Sequence, residues 1–163
     1  MTAKDAIKTT LISTQQNLGM YLADLSDADL LVRPVPGANH IAWQLGHLIT
    51  AEIALLSQLP GAAYPELPAG FKEQHDKATA GVDPPKGFGT KAQYLGLFNK
   101  VREATLANLA KISDADLDKP TTGRMAHFAP TLGALLILQS NHVLMHAGQF
   151  TVLRRKLGKP VVF

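Results

Sequence analysis

The chain reads as an all-α protein, a four-helix bundle of up-down-down-up connectivity built from two pseudo-symmetric helical hairpins. Three observations predict this. Apolar residues recur at three- and four-residue steps in four long segments with few β-branched runs. Residues 22–48 and 109–135 align without a gap at an offset of 87, with twelve of twenty-seven positions identical. Between the halves lies a crossover, 58–89, punctuated by Pro60, Gly61, Pro65, Pro68, Gly70, Gly81, Pro84, Pro85, Gly87 and Gly89. All 163 residues are expected in one domain: a hairpin over 1–57, the crossover 58–89, a hairpin over 90–157 and a tail, 158–163.

The first helix is predicted from about Ala3 to Ala23, because Thr2 followed by Asp5 three residues later has the form of a capping box. The second starts near Asn39, a suitable N-cap, and runs to about Ser57. The third starts at Thr90, where Thr90 and Gln93 are again box-like, and runs to about Lys111. The fourth starts at Thr131 after Pro130 and ends near Lys156, with Arg154, Arg155 and Lys156 at the negative end of its dipole and Gly158 beyond. The Ser-Asp-Ala-Asp-Leu runs at 26–30 and 113–117 hold paired carboxylates, but a Ser cap with Asp in the first turn marks the connector after each hairpin's first helix. Two copies at this period imply a pseudo-twofold bundle rather than a solenoid.

Composition narrows the chemistry. Hydrophobic residues make up 46% and charged residues 18%, enough apolar side chain for a core. The net charge of +3 is scattered rather than striped, which argues against a nucleic-acid partner. With no cysteine there is no disulfide, thiolate ligand or cysteine nucleophile, so any metal must be held by nitrogen or oxygen. Residues 131–150 lack Asp, Glu, Lys and Arg, yet Gln139, Ser140, Asn141, His142, His146 and Gln149 crowd their second half, which suits a buried helix and no membrane span. The N-terminus lacks the pattern of a secretory signal, and a cytoplasmic protein is expected.

The six histidines are the anomaly, and the repeat sorts them. His40 recurs as His127 and is expected to serve the start of the second helix of each hairpin, whereas His75 lies in the crossover and is expected in solvent. His47, His142 and His146 replace Ala134, Leu55 and Leu59 of the other half, so the shared architecture does not need them. His142 and His146 are one helical turn apart on one face, the spacing that lets two imidazoles reach one ion. The alternative is a pair of core histidines with satisfied hydrogen bonds. Were the second and fourth helices parallel, His47 would lie level with Ala134, leaving His142 and His146 roughly 12 and 18 Å further along. An antiparallel pair lets all three meet. It requires the second and third helices to run in the same sense, and the long crossover permits that.

With these residues in place, LGHLITAE on the second helix and NHVLMHAGQF on the fourth resemble the DinB/YfiT-like superfamily of metalloenzymes. The resemblance covers nearly the whole chain. It implies a three-histidine metal site made of His47, His142 and His146, a divalent ion such as zinc or nickel, and a homodimer. It also implies transfer or isomerisation of a small-molecule substrate with a low-molecular-weight thiol, which a cysteine-free chain would take from outside.

Three neutral imidazoles and no carboxylate leave an ion its full charge and an open position, the arrangement of catalytic zinc. A thiol-dependent S-transferase or isomerase, a metal-hydroxide hydrolase and a non-catalytic metal-binding or dimeric interaction protein all remain open. Glu52, the carboxylate in the main body of the second helix, is the candidate general base, set against a surface or dimer-contact role. Asn141 and Gln149 are candidate supports of the ligands, and Trp43 and His40 share a face with His47. Tyr64, Phe71 and Phe88 form a lid from the crossover or are simply buried over the bundle.

Overall fold

The computed structural model of the chain describes residues 1–162. Those residues form six helices and no β-strand: α1 (Ala3–Leu22), α2 (Ile41–Leu56), α3 (Phe71–Gln74), α4 (Lys91–Lys111), α5 (Asp114–Leu117) and α6 (Leu132–Lys156). Helices α3 and α5 are single turns within connections.

Local chemistry sets where the long helices start. Thr2 Oγ1 accepts from the Asp5 amide while Asp5 Oδ2 accepts from the Thr2 amide, at 3.1 and 2.9 Å. Thr90 and Gln93 repeat the exchange at α4, and Thr131 Oγ1 accepts from the Ala134 amide at α6. Helix α2 departs from expectation by one residue. Its cap is His40, whose Nδ1 accepts from the Trp43 amide at 3.2 Å, while the Asn39 carbonyl accepts from Gln44 Nε2 at 2.8 Å. The repeat partner His127 has no such role. It ends a 3-10 turn, Gly123–His127, and α6 begins only after Pro130, which biases the residue before it away from helical geometry. The Ser-Asp-Ala-Asp-Leu runs are structural: Ser26 with Asp29 and Ser113 with Asp116 exchange paired side-chain and backbone hydrogen bonds.

Helix α1 packs on α4 and α6, and α2 packs on the same two. Side-chain contacts give their relative senses. Ser140 meets Thr10 and Arg154 reaches the Tyr21 carbonyl, so α6 runs with α1. Lys4 reaches the carbonyl of Ile112, Gln15 meets Asn99, and Lys91 reaches the carbonyl of Leu22, so α4 runs against α1. Gln44 meets His146 and Glu52 meets Gln139, so α2 runs against α6.

Two apolar clusters fill the interior. One gathers Leu18, Leu22, Leu45, Ile49, Phe98, Val143 and Phe150, and the other Ile7, Leu11, Leu56, Leu109, Leu132 and Leu136. Between them lies a buried polar layer. Arg102 of α4 is fully buried and pairs with Glu52 of α2 at 2.9 Å. Its other amino group donates to the Leu11 carbonyl and Thr14 Oγ1 of α1. Thr105 and Gln139 donate to the Glu52 carboxylate at 2.7 and 3.2 Å, so all four long helices contribute.

The crossover lies over one side of these packed helices. Tyr64, Phe71 and Phe88 pack against the first cluster, and Tyr64 Oη pairs with Thr105 Oγ1 at 3.1 Å, which matches the burial reading of these aromatics.

Breaking the polar layer by Arg102→Met strands a buried carboxylate and is expected to cost about 3–5 kcal/mol in urea unfolding. Adding Glu52→Gln to that variant is expected to recover part of the loss, since the uncompensated charge is gone.

A pH experiment tests the α2 cap. Burial, with the Arg33 charge second, lowers the His40 pKa from 6.5 to about 4. The unfolded chain therefore takes up this proton first. Its contribution to stability is complete above pH 6.5 and is lost as the pH falls toward 4. His40→Asn keeps an acceptor at the cap and removes the titration. It is expected to flatten stability against pH by up to ~1.4 kcal/mol per pH unit across that window.

Candidate metal centre

The opposed senses of α2 and α6 bring the three asymmetric histidines together. His47 projects from the second turn of α2, and His142 and His146 from successive turns of α6. One ring nitrogen from each lies within 4.8 Å of the others. The His142 and His146 Nε2 atoms are 3.1 Å apart, and the His47 ring centre is 5.1 and 5.4 Å from those of His142 and His146. His146 is buried, while His47 and His142 are half-buried, which leaves one side of the cluster facing outward. Trp43, one turn before His47, stacks flat on it at 5.1 Å and 5° and so fixes its ring plane.

Hydrogen bonds define which nitrogens are free. Gln44 uses its amide nitrogen on the Asn39 carbonyl, so its Oε1 is the acceptor for His146 Nδ1 at 2.7 Å. A neutral His146 then carries its proton on Nδ1 and its lone pair on Nε2. That lone pair points at His142 Nε2, so the two facing nitrogens share at most one proton. His142 Nδ1 is buried with no protein partner. Protein groups alone leave this pair of rings poorly satisfied, whereas a divalent cation accepts facing lone pairs. The residues present fit such an ion: three imidazole nitrogens converge, one is held in a fixed tautomer, and one side is open.

Electrostatics keep the donors ready. Desolvation lowers the His142 pKa to about 4 and the His146 pKa to about 3, with the neighbouring imidazoles adding to the shift. His47 is lowered too, by burial first and then by the Lys77 charge. At neutral pH all three rings are uncharged, the form in which imidazole binds metals.

Other candidates fall elsewhere. Glu52 is neither at the surface nor free to act as a base, because both its oxygens are engaged in the buried layer with Arg102, Thr105 and Gln139. Asn141 and Gln149 are exposed, since they flank the histidines in sequence but point to the outer side of α6. His75 is not solvated. It is 2% exposed, with Nδ1 on the Phe71 carbonyl at 2.6 Å and Nε2 on Tyr94 Oη at 2.8 Å. A surface cavity of about 540 Å³ along α4 is lined by Phe71, Gln74, Tyr94, Leu97 and Lys100, and none of the three histidines borders it.

Sequence reasoning missed Gln44. The signal was its place three residues before His47 on a largely apolar helix, opposite Thr131 in the repeat. Gly46 recurs as Gly133 for a packing reason in both halves: a Cβ at 46 would lie 2.0 Å from His75 Cδ2, and one at 133 would lie 3.2 Å from the Leu117 carbonyl oxygen.

Gln44→Leu removes the acceptor that fixes His146 without touching a ligand. The expected result is a folded protein whose zinc affinity, by calorimetric titration, is reduced about 10- to 100-fold.

Comparisons with known proteins give the fold and the family. The chain is similar in fold to a conserved protein from Enterococcus faecalis whose crystal structure is known, with a TM-score of 0.75 and 18% identity over 98% of this chain and 99% of that one. No curated protein matches the sequence. The sequence profile of the DinB superfamily matches residues 10–150, and the chain therefore belongs to the DinB superfamily.

Proposed function

We propose that this protein is a divalent-metal-dependent enzyme whose site is His47, His142 and His146, and that it works with an external low-molecular-weight thiol as a transferase or isomerase. The observation that carries the reading is the convergence of three neutral imidazoles from two helices, with their nitrogens within 4.8 Å. Zinc and nickel are the ions proposed, since imidazole donors suit both. A divalent ion held there by His47, His142 and His146 would supply a Lewis acid able to lower the pKa of a bound water or thiol.

The chain's own residues do the rest. Gln44 holds the His146 proton on Nδ1, Trp43 fixes the plane of His47, and the packed walls of α2 and α6 limit water to the outward side. Glu52 serves neither the thiol reading nor hydrolysis as a base, because its carboxylate is tied to Arg102, Thr105 and Gln139.

Two finer readings accompany this one. The relative senses of the four long helices support an up-down-down-up bundle, with the crossover joining the two that run the same way. A homodimer has a candidate face on α6, where Ile137, Leu144, Met145 and Val152 are exposed and share one side of the helix.

Metal analysis of gently purified protein tests the site. About one ion per chain is expected, and His47→Ala, His142→Ala and His146→Ala are each expected to reduce this to roughly a tenth or less. If none of the three lowers the metal content, the reading fails. On the loaded protein, a panel of small thiols with an electrophile is expected to show metal-dependent thiol consumption. Turnover without thiol would favour hydrolysis, and loss of folding on chelation without any turnover would favour a structural ion.

A further inference from the structure

The cavity of about 540 Å³ between the crossover and α4 is within the ~300–1,000 Å³ typical of small-molecule sites. Its walls are fixed by buried contacts. Phe71 of α3 and Tyr94 of α4 line it, and His75 ties the two together, with Nδ1 on the Phe71 carbonyl at 2.6 Å and Nε2 on Tyr94 Oη at 2.8 Å. The Gly89 amide also donates to Tyr94 Oη at 3.4 Å, so that hydroxyl is engaged and Tyr94 has its ring to offer. Leu97, three residues further along α4, extends the apolar wall.

Glycine keeps the space open, since Gly87, Gly89 and Gly96 all line the cavity. Gly96 lies in the interior of α4, where glycine weakens a helix relative to alanine. Neither a left-handed φ nor a close neighbour requires it, because a Cβ at 96 would meet nothing within 4 Å. The polar groups of the lining are few. Lys100 is its one charged residue, and it takes part in none of the ion pairs among the described residues. Gln93 uses Oε1 on the Thr90 amide at 2.8 Å, which leaves Nε2, a donor, for a ligand. Gln74 is tied to the crossover, its Nε2 3.5 Å from the Lys86 carbonyl. An unpaired ammonium and an amide donor beside two aromatic rings suit an apolar molecule that ends in an anion.

We propose that this cavity is a second ligand site, separate from the three-histidine cluster, and that it takes a small aromatic carboxylate. The ring of the ligand lies against Phe71, Tyr94 and Leu97, and its carboxylate meets Lys100 and Gln93. This site is independent of the metal reading. The test is calorimetric titration of the whole protein with 2-naphthoate and with its uncharged analogue 2-naphthamide. Saturable binding of naphthoate is expected with a dissociation constant on the order of 0.1 mM, tighter than that of the amide. Gly96→Leu favours the helix while filling the cavity, and is expected to weaken both ligands at least about tenfold with no loss of thermal stability. Lys100→Gln is expected to weaken naphthoate about two- to fivefold, the range for a solvent-facing ion pair, and to leave naphthamide unchanged. His142→Ala, which breaks the three-histidine set, is expected to bind naphthoate as the unmodified chain does. Absence of saturable binding, or binding that Gly96→Leu leaves intact, overturns the proposal. Equal weakening of both ligands by Lys100→Gln, or of neither, overturns the carboxylate assignment. Binding lost in a His142→Ala variant that keeps its helical circular dichroism would put the ligand on the histidine cluster and overturn the separate site.

Discussion

The buried pairing of Arg102 with Glu52 is the constraint around which the long helices are arranged. A guanidinium and a carboxylate removed from water are tolerated only when nearly every hydrogen-bonding position finds a partner. Here those partners come from all four long helices: the Leu11 carbonyl and Thr14 of α1, Glu52 of α2, Thr105 of α4 and Gln139 of α6. Apolar contacts are non-directional, whereas these polar groups must meet at hydrogen-bond distance, and in the observed register all but Arg102 Nε and Gln139 Oε1 do so. The layer divides the interior into two apolar clusters and sets the height of each helix relative to the others.

That register places the three-histidine cluster. Glu52 and Gln139 meet in the polar layer, and with α2 and α6 opposed, stepping back from 52 along α2 means stepping forward from 139 along α6. His47 and the pair at 142 and 146 lie on those two paths and converge. The carboxylate of α2 thus serves the histidines from a distance, by fixing the helices that carry them rather than by touching a substrate. The same logic applies to Gln44, which lies one step further along and orients His146 directly.

The crossover contributes more than a connection. The sequence suggests a Pro/Gly-rich spacer long enough to join parallel neighbours, with its histidine in water. In the fold, His75 is inserted against the one position of α2 that has no side chain, and the neighbouring backbone is hydrogen-bonded to Trp43. A segment without a long helix is thereby made part of the wall around His47.

Much of this was legible from sequence alone. Helix spacing, three of the four long-helix caps and the doubled Ser-Asp-Ala-Asp-Leu connector depend on residues a few positions apart, so the chain declares them locally. The three clustered histidines were legible because the internal repeat supplies its own control: imidazoles stand where the other half has alanine and leucine. What tertiary structure decided was the role of each polar side chain whose partner is distant in sequence. Glu52 reads as a free carboxylate until Arg102, fifty residues on, is packed against it. His75 reads as solvated until Gly46 and Tyr94 enclose it, and Gln44 reads as an unremarked amide until α6 brings His146 within 2.7 Å. Periodicity and capping are properties of neighbours along the chain, whereas burial and pairing are properties of neighbours in space, and only the folded register determines which groups those are.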